Sequence, residues 1–320
     1  MSESVQLMAR RDNGFITKNT EPGKEYRWMD PDNFGWYHTQ NKRLGEDWKY
    51  HNSKGELTYT YNTDGFRNDK TFSDLFIPHD DYTVTIGASG VEGIGTSFED
   101  TMAKQIEKRT GTHCYNMGIS GLGMLDHVSN FTNLMSNYHA PKAVIMTNNR
   151  TQPTSIEVPD KPGYFIKVGP WFEFFKKHIA DYRGDEFTDQ SIDYYNARLA
   201  VKSHLHEHET MFRMIKQLCD IAGSKLIVLE TVDIPKLKVT PGISTDEVDW
   251  IEASELPILA STGLGLFENE DHDFMMRYTR YKEKEQSAEE LNVFARDSYH
   301  QGIEYNIECA KRVHAILEKN

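Results

Sequence analysis

The chain has 320 residues, 38% of them hydrophobic and 12% aromatic, which is enough for one large core with an elaboration. Its net charge is −13 and neither end carries a basic run, so nucleic-acid binding, which needs clustered Lys and Arg, is disfavoured. The longest apolar runs are too short to cross a bilayer, and residues 1–8 show no secretory signal. We therefore expect a soluble protein, cytoplasmic at synthesis.

Residues 1–79 differ from the rest of the chain because they are polar, rich in turns and studded with aromatic side chains. Residues 57–61 alternate like a strand, and residues 62–65 read as the turn after it. We interpret residues 1–79 as an extension packed on a core formed by residues 80–320. Its aromatic residues include Tyr26, Trp28, Phe34, Trp36, Tyr37, Trp48, Tyr59 and Tyr61.

From residue 80 onward, strands alternate with helices, which predicts a parallel sheet covered on both faces. We expect a three-layer α/β/α domain of flavodoxin-like strand order. Ser97 and Asp100 have the spacing of a capping box, so Thr96 and Ser97 are expected to open the first helix and Gly111 to close it. The strands are expected at 82–86, 114–117, 143–147 and 225–230, and the later helices at 124–138, 196–222 and 302–318.

Unusual residues follow three of these strands, in the segments 87–89, 116–118 and 147–149. Ligands of open parallel sheets bind at the carboxyl ends of the strands, so this edge is the expected site. Ser89 sits on the first of these turns, where a helix cap is not required of it.

A serine hydroxyl becomes a good nucleophile only when a neighbouring base takes its proton. The candidate base is His300, and Asp297 stands three residues before it, ahead of the last helix. On a tight loop this spacing lets the carboxylate hold the imidazole in the required tautomer.

Five segments together resemble the SGNH (GDSL-like) hydrolases, over roughly residues 55–150 and 290–320. The nucleophile segment has Ala88 where that family usually has Asp, and Gln301 stands where Pro often follows the histidine. The resembling segments are 85–93, 116–118 with Gly121, 147–149, 297–300 and, upstream of the first strand, Asn-x-x-Gly-Phe-Arg at 62–67.

The resemblance implies an esterase with Ser89, His300 and Asp297 as its catalytic triad. It also implies an oxyanion hole formed by the N–H groups of Ser89 and Gly118 and by an Asn amide. Asn148 and Asn149 compete for that last role, and the length of the strand slightly favours Asn149. No metal or organic cofactor is implied. The expected substrate is a small-molecule or glycan ester, most simply a short acyl group on a sugar; the oligomeric state stays open.

Three alternatives remain at this point. Residues 87–93 also fit a Gly-x-x-Gly-x-x-Gly dinucleotide turn, and Tyr278 and Lys282 have the spacing of short-chain dehydrogenases. His204 and His208 share a helix face suited to zinc, although the spacing shows no third ligand. Ala88 and the aromatic extension are also compatible with a glycan-binding module that keeps the fold and lacks the chemistry.

Overall fold

The computed structural model describes residues 8–27, 29, 57–75, 81–148, 153–169, 180, 184–200, 203–230, 248–251 and 302–319. At its centre is a five-stranded sheet. The strands are β3 (Tyr82–Ile86), β4 (His113–Asn116), β5 (Ala143–Asn148), β8 (Lys225–Glu230) and β9 (Asp249–Ile251). Neighbouring strands are all parallel, in the order β4-β3-β5-β8-β9. The predicted flavodoxin-like order is therefore confirmed.

The helices are α1 (Ser89–Glu92), α2 (Met102–Thr110), α3 (Met124–Asn137), α4 (Asp185–Ala200), α5 (Ser203–Ala222) and α6 (Ile303–Glu318). Of these, α3 and α5 cover one face of the central sheet, and α2 and α6 cover the other. Side chains of β5 alternate between two cores: Val144 and Met146 pack with residues of α3 and α5, whereas Ile145 packs with residues of α2 and α6. Successive strand residues point to opposite faces, so two buried faces need apolar residues at every position.

The entry to α2 differs from the prediction. Thr101, not Ser97, caps the helix, and its hydroxyl accepts a hydrogen bond from the Lys104 N–H at 3.4 Å. A separate 3₁₀ turn, Phe98–Asp100, precedes the cap. The expected exit is correct, because Gly111 adopts φ 70° and donates its N–H to Glu107. The long helix expected at 196–222 is two helices, α4 and α5.

A second sheet, which the sequence did not suggest, joins the N-terminal residues to the middle of the chain. Its order is β2-β1-β7-β6, with β1 (Met8–Asp12), β2 (Phe15–Lys18), β6 (Thr154–Glu157) and β7 (Tyr164–Val168). All its pairings are antiparallel. β1 and β7 come from opposite sides of residue 80, so this sheet spans the expected boundary. The division into units 1–79 and 80–320 stays a prediction.

Aromatic residues of the N-terminal region contribute to the core that contains Val144, Met146, α3 and α5. Phe15 stacks on Phe72 with ring centroids 4.9 Å apart, and Phe72 stacks on Tyr115 of β4 at 4.0 Å. Phe66 meets these rings edge-on. Within the described ranges, no helix has the length and hydrophobicity needed to span a bilayer.

Candidate active site

Ser89 lies at the carboxyl edge of the central sheet, where the sequence predicts it. β3 ends at Ile86, and Ser89 is the first residue of the short helix α1. Its side chain is half-buried. The carbonyl of Ser89 accepts the N–H groups of Gly93 and Ile94 at 3.0 and 3.1 Å. Ser89 therefore begins a helical turn of its own, contrary to the expectation that the helix starts at residues 96–97.

The carboxyl ends of β3, β4 and β5 meet at residues 87–93, called the Ser89 turn below. A Cβ added to Gly118, just after β4, would lie 2.2 Å from the backbone nitrogen of Glu92. A Cβ added to Gly87 would lie 2.0 Å from the Thr147 hydroxyl oxygen of β5. Contacts this close leave no room for a side chain. The residues after β4 and at the end of β5 thus both touch the turn that carries Ser89.

The Gly118 N–H, a predicted oxyanion donor, has an acceptor within the protein. It donates to Asn116 Oδ1 at 2.8 Å, and Asn116 Nδ2 donates to the Val91 carbonyl of α1 at 2.9 Å. Asn116 is 1% exposed. An oxyanion at this place would share the Gly118 N–H with Asn116 or take it over. Asn116 itself links β4 to α1, the helix that begins at Ser89.

Arg67, from the Asn-x-x-Gly-Phe-Arg segment, holds the far end of the Ser89 turn. Its fully buried guanidinium donates to the carbonyls of Gly93 at 2.5 Å, Thr96 at 2.9 Å and Thr58 at 3.1 Å. It also lies 4.4 Å from the ring centroid of Tyr59. Arg67 therefore connects the residues after α1 to the N-terminal region. This contact is a structural role for the Asn-x-x-Gly-Phe-Arg segment.

Glu92, at the end of α1, is fully buried and binds three separate chain segments. Its Oε1 lies 2.7 Å from Lys18 Nζ, which is itself 2% exposed, and accepts the Tyr61 hydroxyl. Its Oε2 accepts the backbone N–H of Ser120. Burial opposes ionisation, yet Lys18, Tyr61 and the Ser120 N–H together hold the pKa of Glu92 below its ordinary value. Glu92 is thus a buried carboxylate three residues after Ser89, the predicted nucleophile.

The loop at residues 118–123, called the glycine loop below, is also held on its other side. Lys167 of β7 donates to the Ser120 carbonyl at 2.9 Å. Asp126 of α3 accepts the Gly123 N–H at 3.0 Å and the Ser155 hydroxyl at 2.8 Å. Burial raises the pKa of Asp126 above its ordinary value despite these donors. The second sheet therefore supports the loop that contains Gly118.

Other predicted site residues lie outside the described residues: Asp297, His300 and Asn149. Asn148 ends β5 and pairs with Glu230 of β8, and its side chain is not described. The helix after His300 is described, and it packs on α2. Asn306, in its first turn, donates from Nδ2 to the Asp100 carbonyl at 2.8 Å. The chain six residues beyond position 300 thus lies beside Asp100, in the segment between α1 and α2.

Two of the alternatives can be compared with the geometry. A dinucleotide fold places its third strand beyond the second, in the order 3-2-1-4, whereas β5 lies on the opposite side of β3 from β4. The strand order thus argues against that reading; Tyr278 and Lys282 lie outside the described residues. No three His, Cys, Asp or Glu side chains within the described ranges are grouped to bind a metal, and His208 is buried.

The sequence assigned no site role to Lys18, Tyr61, Arg67 or Glu92, although Arg67 belongs to the Asn-x-x-Gly-Phe-Arg segment of the resemblance. Glu92 offered one signal, since a charged residue between two glycines of a tight turn is unusual there. Lys18 offered none, because its partner is 74 positions away and no local pattern marks such a pair.

The comparisons with known proteins give a distant likeness in fold. No protein-family model matches the sequence, and the curated proteins include no match. Among solved structures, the chain is similar to an acetyl xylan esterase, Est2A, from the rumen bacterium Butyrivibrio proteoclasticus. Identity is 13%, the TM-score is 0.29, and the match covers 65% of this chain and 65% of that protein. A likeness at this level carries no argument about activity, so function rests on the site itself.

Proposed function

We propose that this chain is a serine-dependent ester hydrolase of the SGNH type, which removes a short acyl group such as acetate from a carbohydrate. The observation that carries the proposal is the meeting of three strand ends at Ser89. Gly118 touches the backbone of α1 and Thr147 touches Gly87, so the segments that resemble the first three SGNH segments are neighbours in space.

In the proposed reaction, His300 takes the proton of the Ser89 hydroxyl while the oxygen attacks the ester carbonyl. Asp297 holds the imidazole in the required tautomer. The N–H groups of Ser89 and Gly118 and the amide of Asn149 or Asn148 stabilise the negative oxygen that develops. The alcohol leaves with a proton from His300, and water activated by the same imidazole then releases the acid from Ser89.

The position of α6 supports the roles of His300 and Asp297. α6 begins three residues after position 300, and the Asn306–Asp100 hydrogen bond joins its first turn to the 3₁₀ turn that precedes α2. A span of three residues reaches at most about 10 Å, so the proposed roles require His300 to act within that distance of the start of α6.

The deciding experiment combines labelling with hydrolysis. A fluorophosphonate probe is expected to modify the protein at Ser89, identified by mass spectrometry of the labelled peptide. Ser89→Ala is expected to lower kcat for p-nitrophenyl acetate by about 10³-fold or more, since the variant lacks the nucleophile. Labelling at another residue, or equal rates for the two proteins, would refute the proposal.

A glycan-binding module is the second candidate, and one observation favours it. The Gly118 N–H already donates to Asn116, and Ala88 supplies no polar group beside Ser89. Under this alternative, acetylated xylo-oligosaccharides bind with the same affinity to wild type and Ser89→Ala, and neither protein releases acetate. Release of acetate by wild type alone excludes it.

A further inference from the structure

The Glu92 carboxylate connects α1 with the glycine loop. We propose that Glu92 is a positioning residue, which fixes the glycine loop against the Ser89 turn through the Ser120 N–H while Lys18 and Tyr61 hold its carboxylate in place. The functional part of this inference rests on the proposed function, because the glycine loop contains the predicted oxyanion donor Gly118.

Both carboxylate oxygens are used, and each has a different task. Oε1 forms an ion pair with Lys18 Nζ and accepts a hydrogen bond from the Tyr61 hydroxyl, and these two contacts fix the orientation of the carboxylate. Oε2 is then directed at the Ser120 N–H. The backbone of Glu92 also meets Gly118 directly. One residue therefore contacts the loop at two points, two residues apart.

Stability alone does not account for this arrangement. Lys18 and Glu92 are both buried, and removing charges from water costs about as much as their attraction returns. Well-packed apolar side chains of similar volume would stabilise the fold as well or better. The ion pair instead provides a strong, directed acceptor for one backbone N–H in a loop of glycines.

The neighbourhood explains why the loop needs such an acceptor. Residues 118–123 form no strand or helix, and the Ala88 side chain has no polar atom to reach them. Lys167 holds the Ser120 carbonyl from the side of the second sheet. Ser120 is thus held by a lysine on its carbonyl and by Glu92 on its N–H. The Ile119 N–H donates to the Gly87 carbonyl at 3.0 Å, so within the described residues losing the Glu92 contact would leave the loop joined to the Ser89 turn only through residues 118 and 119.

Two double variants separate the acceptor from the charge. K18M/E92Q and K18M/E92M both remove the buried ion pair and keep similar volumes, but only the Gln variant retains an oxygen that can accept the Ser120 N–H. We expect hydrogen exchange in a peptide containing residues 117–123 to be about tenfold faster or more in K18M/E92M and close to wild type in K18M/E92Q. Equal protection in the two variants would overturn the proposal, whether or not the wild-type protein hydrolyses esters.

Kinetics supply a second measurement. With p-nitrophenyl acetate, K18M/E92M is expected to lose about 10²-fold in kcat with little change in KM, as for loss of an oxyanion donor. K18M/E92Q is expected to stay within about tenfold of wild type. Equal kcat in both variants, beside an active wild type, would also overturn the proposal. If wild type shows no Ser89-dependent turnover, the proposed function fails and hydrogen exchange alone decides.

Two further variants guard against a trivial result. Lys104→Met removes another mostly buried lysine, one that pairs with Asp69 and Glu107 away from the glycine loop. We expect it to leave exchange in the loop unchanged; a rise there would mean that any lost lysine loosens the loop and would contradict the proposal. If K18M/E92M does not fold, Tyr61→Phe removes one donor to Glu92 without burying a charge. Faster loop exchange in that variant supports the proposal, and unchanged exchange refutes it.

Discussion

Helices α2 and α6, called the α2–α6 layer below, cover one face of the central sheet, and the Ser89 turn lies at its carboxyl edge. Different forces hold these two regions. The layer packs on the sheet through apolar side chains. The turn is held by buried polar side chains: Lys18, Tyr61, Arg67, Glu92 and Asn116. The side chains of the layer are Met102, Ala103, Ile106, Tyr305, Cys309, Ala310 and Val313, against Cys114, Ile145, Ile227, Leu229 and Ile251 of the sheet.

This difference shows how the chain separates stability from geometry. Apolar packing tolerates substitutions of similar volume, because it is non-directional. Hydrogen bonds to a buried charge fix direction, and they cost free energy when one partner is lost. The region expected to perform chemistry therefore depends on specific partners, whereas the α2–α6 layer depends on volume.

Replacing Arg67 is expected to have the largest effect. Arg67→Met leaves the carbonyls of Gly93, Thr96 and Thr58 without this donor, which we expect to cost about 3–5 kcal/mol in the free energy of unfolding. Urea denaturation followed by fluorescence measures this loss, and hydrolysis per folded molecule should fall as well. A variant with wild-type stability would show that the turn does not depend on this guanidinium.

A cavity in the α2–α6 layer is expected to cost stability and leave chemistry intact. Ile106→Ala removes a fully buried side chain, which we expect to lower the free energy of unfolding by about 2–4 kcal/mol. Activity per folded molecule should equal that of wild type, measured well below the midpoint of thermal unfolding. A large fall in kcat for this variant would erase the contrast between the two regions.

The smallest predicted effect depends on pH and lies at the amino end of β4. Burial opposes ionisation of Glu107, but hydrogen bonds from His113 and Lys104 lower its pKa to about 2. A lowered carboxyl pKa stabilises the fold at pH values above the ordinary 4.5, and this contribution disappears as pH falls towards 2. Because solvent screens this partly exposed group, we expect Glu107→Gln to cost about 1–2 kcal/mol at pH 7.

Chemical denaturation at several pH values between 7 and 2 tests that window. The difference between wild type and Glu107→Gln should shrink as pH falls below 4.5. Glu99→Gln is the matched control, because Glu99 forms an exposed ion pair with Lys108 and is expected to change stability little at any pH. A constant difference for Glu107→Gln down to pH 2 would contradict the assigned partners.

Much of the central domain could be predicted from the sequence. The strands at 82–86 and 225–230 match the observed bounds, since short β-branched and aliphatic runs ending at turns have few other uses. The predicted position of the α2 cap was wrong by several residues. Ser97 and Thr101 both precede acceptable helix starts, and only the 3₁₀ turn between them distinguishes the two positions. The second sheet was missed, since β1 and β7 are about 150 positions apart.

The sequence by itself determined where Ser89 and Gly118 fall: each stands just after a strand of a parallel sheet, so both had to reach the same edge. Local periodicity and glycine placement are enough for that conclusion. Only the tertiary structure decided what holds them there. The Lys18–Glu92 pair, the three carbonyls bound by Arg67 and the hydrogen bond between Asn116 and Gly118 join residues whose partnership depends on the folded path of the chain. A buried charge is stable only where its partner arrives, and no local pattern records that meeting.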